Sequence, residues 1–271
     1  MRQEDRYLEI RNRKVRKANE LIQKSRFSLS LQQQKIVLYL ISQIEPYDED
    51  FKLYEFDIIE FCKVCGIEIN SGRNYEMLKE QIKKIADKSL WVYLADGRET
   101  LVRWIEKPYV EEGTGKICIR LDRDMKPFLL QLKERYTTYE LIWTLHFKSK
   151  YTIRLYELIK SIHFHELETY KKVYSIEDIK RILEADTYKT YQTLKTRVLN
   201  PAIEEINKYS DKNVTYTTIN KGKKVVAIEF TITTKDTLEI LKIRSDIEKE
   251  MGLSAKQLTL WELLEEKGYV E

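Results

Sequence analysis

The chain has 271 residues, with 48 basic and 44 acidic side chains, three histidines and a formal net charge of +4. That length suits about two ordinary domains, and eight glycines and four prolines among 34% charged residues describe a helix-rich protein with few long loops. No apolar run approaches the roughly 20 residues of a bilayer span, and the opening MRQEDRYLEIRNRK lacks a signal-peptide core, so a cytoplasmic location is expected.

Residues 18–25 suggest a short helix. Ser30 followed by Gln33 is a capping-box pattern opening a stronger one, in which Ile36, Val37, Leu40, Ile41 and Ile44 form an apolar stripe that ends near Pro46. Residues 51–56 are a short strand candidate leading into a helix over 57–66, and Gly72 marks a turn before a helix over 74–89. The period then changes. Residues 90–95, 100–107 and 116–121 are rich in β-branched and aromatic side chains, with turns at Asp96-Gly97 and Gly113-Thr-Gly115. Helices followed by a β-hairpin make a winged helix.

The second half repeats the scheme. Residues 141–163 have a helical pattern, 173–175 a strand pattern, and 176–184 and 190–209 two further helices. Residues 214–219 and 225–233 alternate as strands joined across Asn220-Lys-Gly-Lys-Lys224, a tip carrying Lys221, Lys223 and Lys224 and no acid. Residues 235–271 read as two helices with a break near Gly252, the second capped by Ser254 and stopped at Gly268.

The two halves also correspond residue by residue. Ile36, Leu38 and Tyr39 align with Ile153, Leu155 and Tyr156; Phe56, Ile59 and Cys62 with Ile176, Ile179 and Ile182; Tyr75, Leu78, Lys79 and Ile82 with Tyr191, Leu194, Lys195 and Val198. A repeat that long is a duplicated domain, not a solenoid unit. The expected fold class is therefore α+β and helix-rich: two tandem winged-helix domains related by internal duplication, over residues 1–140 and 141–234, plus a C-terminal helical tail over 235–271.

Cys62, Cys65 and Cys118 supply neither a disulfide framework nor a tetrahedral zinc set, and Cys62-Lys-Val-Cys65 lies on an apolar helical face, as buried thiols do. No cofactor is expected. Function should instead show on the outward face of the third helix of each winged helix, the element that enters a major groove. At 100° per residue, Tyr191, Leu194, Val198 and Ala202 face the core, and Lys189, Thr193, Thr196, Arg197 and Asn200 face out. No acid occurs from Tyr188 to Ile203, so this face can approach phosphates and donate to base edges. The equivalent first-half helix offers Arg73, Asn74 and Lys79 but is punctuated by Glu76, Glu80 and Asp87, which suits phosphate contacts more than base reading. Lys148, Lys150 and Arg154 are further candidates for phosphate contact.

The opening NELIQKSRFSLSLQQQKIVLYLISQIEP resembles the start of the initiator (Rep) proteins of theta-replicating, iteron-containing bacterial plasmids. SKYTIRLYELIKS, YSIEDIKRIL, YKTYQTLKTRVLNPAIEEIN and GKKVVAIEFTI follow in the order of that family's second winged helix, so the resemblance spans residues 19–232. It implies a protein that binds direct repeats of double-stranded DNA at a plasmid origin, helps to melt AT-rich DNA, and recruits the host replication initiator and replicative helicase. It further implies a homodimer, formed through the first domain, that represses its own promoter at an inverted repeat, and monomers that initiate. The family's recognition helix falls on residues 189–197, which adds Thr190, Tyr191 and Lys195 to the candidates. Two alternatives are a dedicated winged-helix repressor and a rolling-circle nicking enzyme. The latter would use the His163-Phe-His165 pair with Tyr170 or Tyr174, but its histidines end a helical pattern and are followed by Glu166 and Glu168.

Overall fold

A computed structural model of the chain describes residues 3–67, 71–94, 97–111, 113–162 and 169–250. The first unit is organised around a helix buried on nearly every side. Ser30 and Gln33 close the expected capping box, Gln33 N–H donating to Ser30 Oγ (3.2 Å) and Ser30 N–H to Gln33 Oε1 (3.0 Å). The helix they start must be central, because Ile36 through Ile41 are all buried.

Ahead of it lie α1 (Gln3–Asn12), β1 (Lys14–Ala18) and α2 (Asn19–Gln23), the central helix being α3 (Leu31–Ile41). Next come β2 (Tyr54–Asp57), α4 (Ile58–Val64) and α5 (Ser71–Ala86). The side chain of Asp57 caps α4 by accepting from Glu60 N–H (2.8 Å), and Arg11 closes its other end, donating to the carbonyls of Lys63 and Val64. β3 (Ser89–Tyr93) and β4 (Glu99–Arg103) form a hairpin in which Gly97 has φ 85°. β5 (Tyr109–Glu111) and β6 (Lys116–Ile119) join β2 in a separate sheet of order β2-β6-β5. The single strand expected over 100–107 is therefore split, since Trp104 and Ile105 leave the ladder to enter the core.

A 3₁₀ turn at Arg123–Met125 leads into α6 (Lys126–Leu129) and β7 (Tyr136–Glu140), which returns to pair with β1 from Lys14↔Glu140 to Ala18↔Tyr136. The second unit follows. The helix expected over 141–163 is two, α7 (Ile142–Leu145) and α8 (Lys150–Ile162); Phe147 is buried between them and Ser149 accepts from Tyr151 N–H to start the second. β8 (Thr169–Ser175) ends in Ser175, which caps α9 (Ile176–Leu183), and Thr190 caps α10 (Tyr191–Leu194). After a π-helical turn, Lys195–Leu199, the chain continues as α11 (Asn200–Tyr209). β9 (Lys212–Lys221) and β10 (Lys224–Thr234) form the wing, in a sheet of order β8-β10-β9, and α12 (Thr237–Glu250) closes the described chain. The break near Gly252 and the helix beyond it lie outside the described residues.

The two units share the order helix, strand, helix, helix, hairpin, and the fold is a tandem of winged helices. The sequence correspondence is physical: Ile36, Leu38 and Tyr39 are buried like Ile153, Leu155 and Tyr156, and both tyrosines donate to an acid, Glu60 (2.6 Å) and Asp211 (2.8 Å). The middle segment departs, since Phe56 is fully buried on β2 whereas Ile176 is half-buried at the first residue of α9. Ile59 is exposed whereas Ile179 is buried, because Ile58 fills the core site at the start of α4.

A buried polar knot ties the units together. Glu157 of α8 accepts from Lys17 of β1 (2.6 Å) and from the Tyr139 hydroxyl of β7 (2.6 Å), while Arg154 donates to Ile182 O at the end of α9 (3.0 Å) and to Ile22 O of α2 (3.3 Å). Burial pushes the Lys17 ammonium below its ordinary value against the pull of Glu157, and pushes Tyr139 well above its own. From outside, Arg244 of α12 bridges Glu140 (2.5 Å) and Asn12 (2.8 Å). Among the described residues, no helix is long and apolar enough to cross a membrane. Cys62 and Cys65 are buried, and burial pushes the Cys65 thiol up to about 12, away from thiolate chemistry.

Candidate nucleic-acid interface

The third helix of the second unit begins with a local hydrogen-bond net. Thr190 Oγ1 accepts from Thr193 N–H (3.2 Å), Thr193 Oγ1 donates to Thr190 O (2.9 Å), and Thr196 Oγ1 donates to Gln192 O (3.0 Å). With their protons directed at the backbone, the hydroxyls of Thr193 and Thr196 face outward as acceptors, the complement of base amino groups. Lys189, Thr190, Thr193, Thr196 and Arg197 are exposed, while Leu194 and Val198 are fully buried and Tyr191 and Lys195 half-buried. The expected outward face is therefore present over 189–197.

Asn200 departs from it. The residue is half-buried, and its Oδ1 accepts from the Tyr216 hydroxyl of the wing (2.9 Å), so the bidentate contact that would read adenine is not open to it. The cause is Pro201, which has no N–H and clashes with the carbonyl four residues back in an α-helix. The chain passes it through the π-helical turn, in which Asn200 N–H donates to Lys195 O, five residues behind. One extra residue in the turn rotates everything beyond it, so the outward face ends at Arg197 and Asn200 instead anchors the wing.

At the wing tip Lys221 pairs across the strands with Lys224, around a two-residue turn whose Gly222 has φ 63°, and Lys221, Lys223 and Lys224 are all exposed. Like charges placed directly opposite each other repel, and a polyanion relieves that cost. Arg197 heads the same surface, and among the described residues no ion pair occupies its guanidinium. Arg197→Ala is expected to weaken specific DNA binding by about 1–3 kcal/mol if Arg197 reads a base. Competition titrations against single-base variants of the site check this: unchanged specificity with lower affinity would reassign it to phosphate.

The remaining candidates divide. Arg73 and Lys79 are exposed on α5, but so are Glu76 and Glu80, and Lys79 lies 5.6 Å from the Tyr75 ring; the side chain of Asn74 is not among those described. Lys148 is exposed beside Glu205, whose carboxylate accepts from the Lys148 backbone N–H (3.1 Å). Lys150 is half-buried at the start of α8. Arg154 is a correction: it is buried, its guanidinium stacks on Phe27 at 4.2 Å and donates to three backbone carbonyls, so it braces the interior and meets no phosphate. Sequence patterning misses Lys88, whose ammonium donates to Gln33 while the adjacent Gln34 donates to Lys150 O, and Lys84, in the last turn of α5 just before it. His163 and His165 lie outside the described residues. Burial pushes the Tyr174 hydroxyl upward, which opposes its use as a nucleophile.

Residues 14–160 match the family described as Initiator Replication protein, WH1, and residues 175–232 match Initiator Rep protein, WH2. The first match runs through α8 almost to its end. Among solved structures the chain is similar to the Pi initiator protein, determined in complex with iteron DNA. The TM-score is 0.69 with 20% identity, covering 83% of this chain and 99% of that one. At that identity the likeness carries the fold, two winged helices in tandem.

Proposed function

The chain belongs to the family of plasmid replication initiator proteins, and we propose that its winged helices bind the repeated sites, or iterons, of a plasmid origin as double-stranded DNA. One observation carries this: exposed Lys189, just ahead of the third helix of the second unit, and Thr193, Thr196 and Arg197 along it form a stretch without carboxylates beside a lysine-tipped hairpin. The Pi initiator, solved on iteron DNA, has the same fold and supports the assignment. The second winged helix reads base edges, and the first, whose third helix exposes acids beside its cations, grips phosphates.

Occupied repeats then promote melting of adjacent AT-rich DNA and recruit the host initiator and replicative helicase. Monomers serve the direct repeats, and a homodimer bound to an inverted repeat at its own promoter represses transcription. The protein works in the cytoplasm and catalyses no reaction. Footprinting of the purified chain on DNA flanking its gene is expected to give several evenly spaced protections in one orientation beside an AT-rich stretch. A single palindromic protection would identify a dedicated repressor instead, and metal-dependent nicking of single strands would identify a nuclease.

A further inference from the structure

Between the third helices of the two units lies a cluster of lysines. Lys84 stands on the last turn of α5, Lys88 just beyond its end, and Lys150 at the first residue of α8. Lys88 is fixed in place, its ammonium donating to Ser28 O (2.6 Å) and Gln33 Oε1 (2.9 Å), both neutral. The seam itself is held by Gln34, which donates to Lys150 O (3.3 Å), and by Gln33, which donates to Gln81 Oε1 (3.0 Å). Partial burial lowers the affinity of Lys88 for its proton, and the charges of Lys150 and Lys84 lower it further. Nearby acids are engaged at the margin: Glu80 pairs with Lys84 at 3.4 Å, and Asp186 with Arg26 at 3.7 Å.

The cluster connects to the base-reading helix. The Lys150 ammonium lies 5.0 Å from the Tyr151 ring, Tyr151 packs edge-to-face on Tyr188 at 6.0 Å, and Tyr188 directly precedes Lys189. Lys180 donates to Lys189 O (3.1 Å), holding the start of that face. Lys84 is partly offset by Glu80, whereas Lys88 and Lys150 meet no carboxylate in an ion pair among the described residues, and a DNA strand leading from the groove at α5 to the groove at α10 carries one phosphate per nucleotide.

We propose that Lys88, Lys150 and Lys84 form a phosphate-binding seam that grips the DNA backbone between the two third helices and sets the distance between the segments each unit contacts. The inference rests on the DNA-binding assignment above. Its test uses the full chain, with anisotropy titrations over a range of salt on a duplex carrying one footprinted repeat. The K150Q variant keeps every hydrogen bond of the seam, so it reports on charge alone; K88Q/K150Q removes two cations. The slope of log K against log salt is expected to flatten by about 0.9 for each phosphate no longer neutralised. A methylphosphonate scan of the repeat should find neutral linkages midway between the two segments that weaken the wild type and leave the double variant unaffected. A wild-type slope in both variants, or a methylphosphonate penalty that persists in the double variant, would overturn the seam. If the wild type prefers no sequence at all, the initiator assignment fails, and the salt slopes on a mixed-sequence duplex still decide the seam.

Discussion

Replacing Glu157 with alanine is expected to lower the unfolding free energy by about 3–5 kcal/mol, because it removes the acid at the centre of a buried cluster and leaves the rest in place. The side chains of Lys17 and Glu157 are 4% and 1% exposed, so Lys17 in the variant would keep its charge without a carboxylate to receive it. The Tyr139 hydroxyl would lose its acceptor as well. Arg154 would fare better, since the carbonyls of Ile182, Ile22 and Ser25 remain. Urea unfolding followed by tryptophan fluorescence checks the cost, as Trp104 lies 5.8 Å from the Lys17 ammonium.

The pH dependence gives a second check. Burial holds the folded Lys17 below its ordinary value while Glu157 pulls the other way, so removing Glu157 lowers it further. The unfolded chain then binds the proton more tightly than the folded one. The destabilisation is complete below the folded value and is relieved as pH rises from there toward the ordinary lysine range. The variant should therefore gain stability toward alkaline pH relative to wild type. Replacing the pair together, as Lys17→Met with Glu157→Leu, should recover most of the loss, since apolar side chains of similar volume leave no stranded charge. A cost under about 1 kcal/mol for the single variant would mean that water reaches the knot.

That knot is the part of the fold least legible in the sequence. The repeated Ile, Leu and Tyr of α3 and α8 show through because both helices do the same work, burying one pattern and directing one tyrosine hydroxyl at one acid. The Ser30–Gln33 box and the alternating wing strands are local signals and stand where the periodicity places them. β1 and β7 carry no such signal, because the residues that pair, from Lys14 with Glu140 to Ala18 with Tyr136, lie at opposite ends of the first unit in sequence. Arg154 reads as a surface cation when taken alone. Its position in α8, where every residue from Thr152 to Ile159 is buried, is the clue that the helix has no outward face there. At the interface, a helical wheel turns Arg197 outward, where it stands exposed, and turns Asn200 outward wrongly, because it assumes 100° per residue across Pro201, where the chain inserts a π turn.

The same helix supplies the second large effect. Leu194 is fully buried at the last residue of α10, immediately before the π turn, and Leu194→Ala is expected to cost about 2–5 kcal/mol through lost burial and an unfilled cavity. The site has little means of collapsing, because Val198, Leu199 and Ala202 around it are themselves buried on a segment whose hydrogen bonding is already adjusted for Pro201. DNA binding by this variant should fall only in proportion to the folded fraction, and return on cooling or at lower urea. Arg197→Ala, by contrast, should unfold like wild type and bind poorly under all conditions, since its exposed guanidinium supports no packing. Parallel measurement of unfolding and anisotropy on both variants separates the two roles. Native stability with lost binding in Leu194→Ala would place that side chain on the DNA, and would mean that the helix presents a different face from the one its burial defines.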